Sequence, residues 1–199
     1  MIQVPSARSL ELRSAVQKAY SAAAERPAEK HAFPVGRILA ERLGYSPELL
    51  DTLPPVSVEA FAGVSNLAVS AAIPLGATVL DLGCGAGLDS LIAAGRVGSA
   101  GHVFGIDFSA SMIARARQAA TAYGTDVTFC RHAEQLPLTE ASIHMALVNG
   151  IFNLNPAREQ IFRELARVVR PGGCVFAAEL VLKEAVAKPA EFTEAEWFA

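Results

Sequence analysis

Val79-Leu80-Asp81-Leu82-Gly83-Cys84-Gly85-Ala86-Gly87-Leu88-Asp89 is the stretch whose reading decides the fold. The apolar run from Ala77 to Leu82 has the composition of a strand buried on both faces, with one carboxylate near its end. Three glycines at alternate positions follow, and residues 88–94 have helical character. A strand, a turn too tight for side chains and a helix N-terminus together let a ligand lie against bare backbone. A dinucleotide fingerprint needs Gly-x-Gly-x-x-Gly, and Leu88 stands where its third glycine would be. Asp81 would repel a pyrophosphate, but it can pair with a ligand's ammonium group.

Outward from this stretch the chain divides in two. Strands are expected over 78–82, 102–106, 127–130, 143–148 and 174–180, with helices over 88–94, 109–123 and 156–169. In the last helix, Asn155 is the expected cap, Pro156 opens it, and Ile161, Phe162, Leu165, Val168 and Val169 form one apolar stripe. Pro171-Gly172-Gly173 turns the chain into the fifth strand. Alternating strands and helices imply an α/β fold, a parallel sheet covered on both faces with ligands at the carboxyl ends of its strands. Residues 1–74 read instead as helices joined by tight breaks, over 9–25, 35–43, from Ser46-Pro47-Glu48, over 57–62 and over 66–72. The expected organisation is a helical, substrate-covering cap at 1–74 and a ligand-binding domain at 75–199.

Composition excludes several classes. A chain of 199 residues with 52% hydrophobic and 19% charged residues has ample material for a core. A net charge of -3 without a basic run gives no nucleic-acid footprint. No apolar run approaches a membrane span, and residues 1–10 lack a signal core. Cys84, Cys130 and Cys174, odd in number and far apart, read as reduced thiols of a cytoplasmic protein. Four scattered histidines give little support for a metal cluster, and no metal is expected.

Asp107 closes the second strand, where an acidic residue can accept both ribose hydroxyls. Alone it would read as a helix-start aspartate before the capping Ser109; the glycine loop on the preceding strand favours the ribose role. After the third strand, the turn beginning His132-Ala133-Glu134 could meet an adenine edge through its backbone and the side chain at 132.

Asp81 with Gly83, Gly85 and Gly87 resembles the nucleoside-binding loop of class I S-adenosylmethionine methyltransferases, and Pro171-Gly172-Gly173 after Arg-Val-Val-Arg is similar to theirs. More narrowly, residues 12–182 resemble the arsenite methyltransferase family. The matching pieces are Arg13-Ser14-Ala15-Val16-Gln17-Lys18-Ala19-Tyr20, Leu43-Gly44-Tyr45-Ser46-Pro47-Glu48-Leu49, the Gly87-Leu88-Asp89 ending and Val148-Asn149-Gly150-Ile151-Phe152-Asn153-Leu154. The resemblance implies a Rossmann-like sheet and S-adenosylmethionine as cofactor. It would be held by Asp81, Gly83, Cys84, Gly85, Gly87, Asp107, Phe108, His132, Ala133, Glu134 and Asn149. It also implies that Tyr20 lies over the methionine end. Tyr20 and Asn149 are then the candidate catalytic residues, and Phe61, Val64 and Phe152 the candidate substrate pocket. For those three, simple core packing is an equal reading.

The sequence departs from that family at two thiol positions. Arsenite methyltransferases bind As(III) through a cysteine in a Gly-Cys-Gly-Asn element and another after the asparagine ending the fourth strand. Here those positions are Val64 and Gly150. As(III) is thiophilic, and hydroxyl or amide groups do not replace thiolate. The expectation is therefore in-line methyl transfer to a small, non-arsenical molecule. The alternative is a cofactor-binding protein without transferase activity, acting as a regulatory or partner subunit. No two strands are readable in 183–199, so the hairpin that ends a seven-stranded class I sheet is missing from the pattern. A bare fifth strand would then be covered by 183–199 folding over it, by another chain, or by a continuation of the chain beyond 199, and a homodimer through that edge is the expectation.

Overall fold

The computed structural model describes residues 7–131 and 135–181. Strands β1 (Thr78–Leu82), β2 (His102–Asp107), β3 (Val127–Arg131), β4 (Ile143–Asn149) and β5 (Val169–Ala178) form one parallel sheet in the order β3-β2-β1-β4-β5. The chain winds outward from central β1 through β2 to β3, then crosses back to β4 and β5. That reversal opens a crevice at the carboxyl ends of the strands.

The inner strands β1 and β4 are apolar on both faces because both are covered. One face carries Val79, Val103, Phe129 and Leu147, packed with Leu91 of α6 (Leu88–Val97) and Ala116 of α7 (Ala110–Tyr123). The other carries Leu80, Ile106 and Val148, packed with Ile161, Leu165 and Val168 of α8 (Arg158–Val168). The twofold alternation of strands puts Asp81, Asp107 and Asn149 on the α6 face, at or near the carboxyl ends of β1, β2 and β4.

Five helices precede the sheet: α1 (Ala7–Glu25), α2 (Arg37–Arg42), α3 (Pro47–Asp51), α4 (Pro55–Val58) and α5 (Leu67–Ser70). Ser46 caps α3 by accepting from Leu49 N, and Ser109 caps α7 by accepting from Met112 N. Helix α1 crosses the start of α7. Gln17 Nε2 donates to Phe108 O at 3.1 Å, and the Ser21 and Ser109 hydroxyls lie 2.9 Å apart. Arg96 of α6 donates to Val69 O and Ala71 O, tying α5 down.

Three local expectations change. The Pro54-Pro55 pair starts a helix rather than preceding one, because a proline at the first helical position loses no intrahelical bond; α4 therefore runs Pro55–Val58. Helix α8 begins at Arg158, since Asn155 Oδ1 accepts from Ala157 N at 2.8 Å and closes a turn ahead of the helix. Within the expected stripe Phe162 is half exposed, and Val169 already belongs to β5. Strand β5 accommodates Pro171-Gly172-Gly173 as an irregularity: Ile143 pairs with Val169, yet Met145 pairs with Cys174. It borders the sheet among the described strands, with Val175 and Phe176 partly exposed. The expectation that the last hairpin is missing falls on 182–199, outside the described residues.

Candidate active site

The glycine loop is pinned to the end of β2. Gly83 N and Cys84 N both donate to Ile106 O, at 2.8 and 3.1 Å. Both Asp107 oxygens meet backbone donors: Oδ2 accepts from Gly85 N at 3.0 Å, and Oδ1 from Ser109 N at 2.8 Å. The carboxylate keeps capacity to accept from a ligand.

The three glycines serve different ends. Gly85 has φ 51, left-handed, and a Cβ there would meet only Met112 Sδ, at 3.9 Å, so its surface is open. A Cβ on Gly83 would fall 2.3 Å from Ile151 Cγ2, so that space is filled by Ile151. At Gly87 a Cβ would meet Ala116 and Phe129 at 3.2 Å, which makes it a packing glycine between α6, α7 and β3.

One cavity brings most of the expected residues together. Its walls include Tyr20, Phe61, Asp81, Gly83, Cys84, Gly85, Asp107, Phe108 and Asn149, with Gly63, Asp89, Gly150 and Ile151. Gly87 lies behind the wall. Val64 stands behind Gly150, whose Cβ would be 3.0 Å from Val64 Cγ1. Phe152 is off the wall and stacks on Phe162, centroids 4.6 Å apart, so its expected pocket role gives way to packing. His132, Ala133 and Glu134 lie outside the described residues.

Burial dominates the electrostatics. Asp81 is 1% exposed and accepts from Ser90 Oγ at 2.5 Å. Burial, then the nearby Asp89, pushes its pKa up, against the Ser90 bond. Burial also raises Asp107, to about 6, against donors from Ser109, Gly85 and Phe108. The cavity thus holds carboxylates whose charge is undercompensated by the protein. Burial and the same two carboxylates push the Cys84 thiol well up, so it is no nucleophile. Tyr20 stacks on Phe33 at 4.5 Å. Its phenol is raised by burial, Asp107 and Glu179, and stays protonated.

At the far end, Asn149 Oδ1 accepts from Val64 N at 2.9 Å and Ser65 N at 3.2 Å. Its Nδ2 donates to Ser65 O at 2.8 Å and Asp89 Oδ2 at 2.9 Å. The amide is spent on the protein, so the expected catalytic role becomes one of positioning. Asp89 Oδ1 also accepts from Tyr45 OH at 2.6 Å and Ala68 N at 3.2 Å. Sequence reasoning missed this hub, together with Ile151 and Ser90. Its signal was an acidic residue, Asp89, one position into an otherwise apolar helix start.

A family profile described as methyltransferase domain matches residues 75–197. The chain belongs to this methyltransferase family. It is 35% identical over 144 residues to the arsenite methyltransferase of Halobacterium salinarum, across 71% of this chain and 37% of that protein. It is 33% identical over 108 residues to the demethylmenaquinone methyltransferase of Bacillus licheniformis, across 54% and 46%. The crystal structure of an arsenic (III) S-adenosylmethionine methyltransferase from Chlamydomonas reinhardtii matches with TM-score 0.54 and 28% identity, over 70% of this chain and 47% of that one. The chain spans less than half the length of these relatives.

The fold is the S-adenosylmethionine-binding fold of class I methyltransferases, and the donor set fits that cofactor. Asp81 and Asp107 are buried carboxylates suited to an ammonium group and a ribose diol, and Gly85 leaves bare backbone between them. The arsenite family's cysteine cluster is not reproduced. Cys130 and Cys174 sit in β3 and β5, four strand spacings apart, or about 19 Å. Among the described residues no group of three or more His, Cys, Asp or Glu could hold a metal ion.

Proposed function

We propose that this chain catalyses methyl transfer from S-adenosylmethionine to a small, non-arsenical acceptor. The observation that carries the reading is a single cavity walled by Asp81, Gly85 and Asp107 together with Tyr20, Phe61, Gly150 and Ile151. The cofactor supplies an electrophilic methyl group on a sulfonium. Asp81 accepts from the ammonium group, Asp107 from the ribose hydroxyls, and Phe108 borders the nucleoside beside it. By the sequence resemblance, His132, Ala133 and Glu134 would meet the adenine edge.

Tyr20 and Phe61 exclude water and align the acceptor with the methyl group, which is the main demand of an in-line displacement. The apolar pair Val64 and Gly150 supports an acceptor atom other than arsenic. Residues 1–74 act as the cap over the acceptor, and 75–199 as the cofactor-binding domain. No described helix is long and apolar enough to cross a membrane. A second copy pairing along the open edge of β5 completes the proposed assembly; a monomer mass independent of concentration in light scattering would end that idea.

Calorimetry with S-adenosylhomocysteine tests the cofactor site, with binding expected and its absence overturning the reading. Release of S-adenosylhomocysteine from S-adenosylmethionine, measured across thiol, amine, hydroxyl and carbon acceptors, tests transfer. Silence across the panel despite binding would make the chain a cofactor-binding protein. Tyr20→Phe is expected to slow turnover about two- to tenfold, the worth of one ordinary hydrogen bond.

A further inference from the structure

Asp89 is a buried carboxylate that the cofactor does not need. It is 5% exposed, in the first turn of α6. Its three partners are Tyr45 OH, Ala68 N and Asn149 Nδ2, and all of them donate. Burial raises its pKa, and the bonds from Tyr45, Asn149 and Ala68 oppose that rise.

An asparagine amide has one accepting and one donating end, and its neighbours decide which end points where. At Asn149 one end meets two backbone donors, Val64 N and Ser65 N. The other meets two acceptors, Ser65 O and Asp89 Oδ2. Since an ionised carboxylate can only accept, Asp89 holds the Asn149 Nδ2 on its side. The Oδ1 is thereby left for the loop. The space is tight: a Cβ on Gly63 would lie 2.7 Å from Asn149 Nδ2 and 2.8 Å from Phe61 Cζ.

We infer that Asp89 is a positioning residue for methyl transfer, which orients the Asn149 amide and through it fixes the backbone of Val64 and Ser65 beside the acceptor end of the cavity. The inference rests on the methyl-transfer reading for its purpose, but the orientation itself is independent of any ligand. Asp89→Asn can keep an oxygen on Asn149 Nδ2 only by turning its own Nδ2 toward Tyr45 OH and Ala68 N; in its other orientation it puts a donor against Asn149 Nδ2. If Asn149 turned over to meet it, its Nδ2 would face the N–H groups of Val64 and Ser65. Either way one joint of the chain has two donors facing each other. The reciprocal change Asn149→Asp, added to Asp89→Asn, restores a donor–acceptor pair at that joint and keeps an acceptor for Val64 N and Ser65 N, but it loses the donor to Ser65 O, so the recovery is partial.

The experiment is amide hydrogen exchange by ¹H–¹⁵N NMR on the full chain, alongside calorimetry with S-adenosylhomocysteine. In Asp89→Asn, the Val64 and Ser65 amides are expected to exchange at least tenfold faster, while Gly85 N and the β1 amides stay as in the wild type. The double variant is expected to recover part of the lost protection. Uniformly faster exchange, or unchanged Val64 and Ser65 amides, overturns the inference. If Asp89→Asn does not fold, the wild-type protein decides: exchange of the Asn149 side-chain amide as fast as that of an exposed asparagine overturns it equally. Wild-type failure to bind S-adenosylhomocysteine would count against the proposed function and leave the orientation result standing.

Discussion

At the proposed cofactor end of the cavity, Gly85 and Asp107 meet across only 22 residues of chain, through one helix and the strand that follows it. At the acceptor end, Asn149 reaches Val64 and Ser65 across 85 and 84 residues. The first end consists of carboxylates that burial leaves short of partners, beside open backbone. The second consists of side chains whose hydrogen bonds are already spent within the protein. A ligand can therefore gain charge compensation at one end, whereas at the other it meets shape. Cofactor recognition should accordingly respond to charge, and acceptor recognition to packing.

The sharpest way to break this contrast is Asp81→Asn. Removing a charged acceptor from the ammonium group should weaken S-adenosylhomocysteine binding by about 100-fold in calorimetry, since bonds to charged groups contribute about 1.5–3 kcal/mol. The unliganded protein should melt no lower, because burial, which raises Asp81 to about 8, already holds its carboxyl protonated near neutral pH, and Ser90 keeps an acceptor. Parallel loss of Tm would mean that Asp81 serves the fold instead.

Acidity gives a smaller effect at the same end. Asp107, raised to about 6, keeps in the native state a proton that the unfolded chain releases nearer its ordinary value. Its contribution to the stability of the unliganded protein is therefore full at low pH and lost as pH rises through about 6. Binding that needs the carboxylate runs the other way. S-adenosylhomocysteine affinity should be at least about tenfold weaker at pH 5 than at pH 7, the tenfold coming from Asp107 and any further loss from Asp81, which burial raises to about 8. A flat affinity profile over that range would remove Asp107 from the ribose role.

The smallest effect on binding belongs to the acceptor end. Gly63→Ala forces its new carbon against Asn149 and Phe61, and overpacking of this kind costs about 1–3 kcal/mol. Thermal unfolding should shift down by several degrees, with cofactor affinity changed less than about threefold. A tenfold loss of affinity would show that the two ends are not separate.

Much of the cofactor end was legible in residues 79–109. An apolar run, a glycine turn, an acidic strand end and a capping serine each carry a local signal, and the structure realises them as β1, the pinned loop, β2 and the cap of α7. The limits of local reasoning are visible in the same loop. Glycines that look equivalent differ because Ile151 fills the space at Gly83 and α7 presses on Gly87, and both contacts come from distant chain. Phe152 read as pocket lining because its apolar character says nothing of which neighbour it finds, here Phe162. The helix at Pro55 was misplaced because proline both ends and begins helices, and only the path of the chain selects between them.

By itself the sequence determined a parallel sheet, its order of strands and helices, and the absence of cysteine at positions 64 and 150, while the cofactor class came from the resemblance of its glycine loop to class I methyltransferases. The former follow from periodicity, turn chemistry and side-chain identity, which are properties of short windows. Only the tertiary structure decided that Asp89, Tyr45, Asn149 and the backbone of Val64 and Ser65 converge. Each of those groups can bond to many partners, and the partner is chosen by which strand end and which helix start the sheet brings together. The glycine stretch, with Asp81 at one end and Asp89 at the other, thus serves both halves of the proposed reaction: Asp81 is the partner proposed for the ammonium group, and Asp89 bonds to the Asn149 amide that holds Val64 and Ser65.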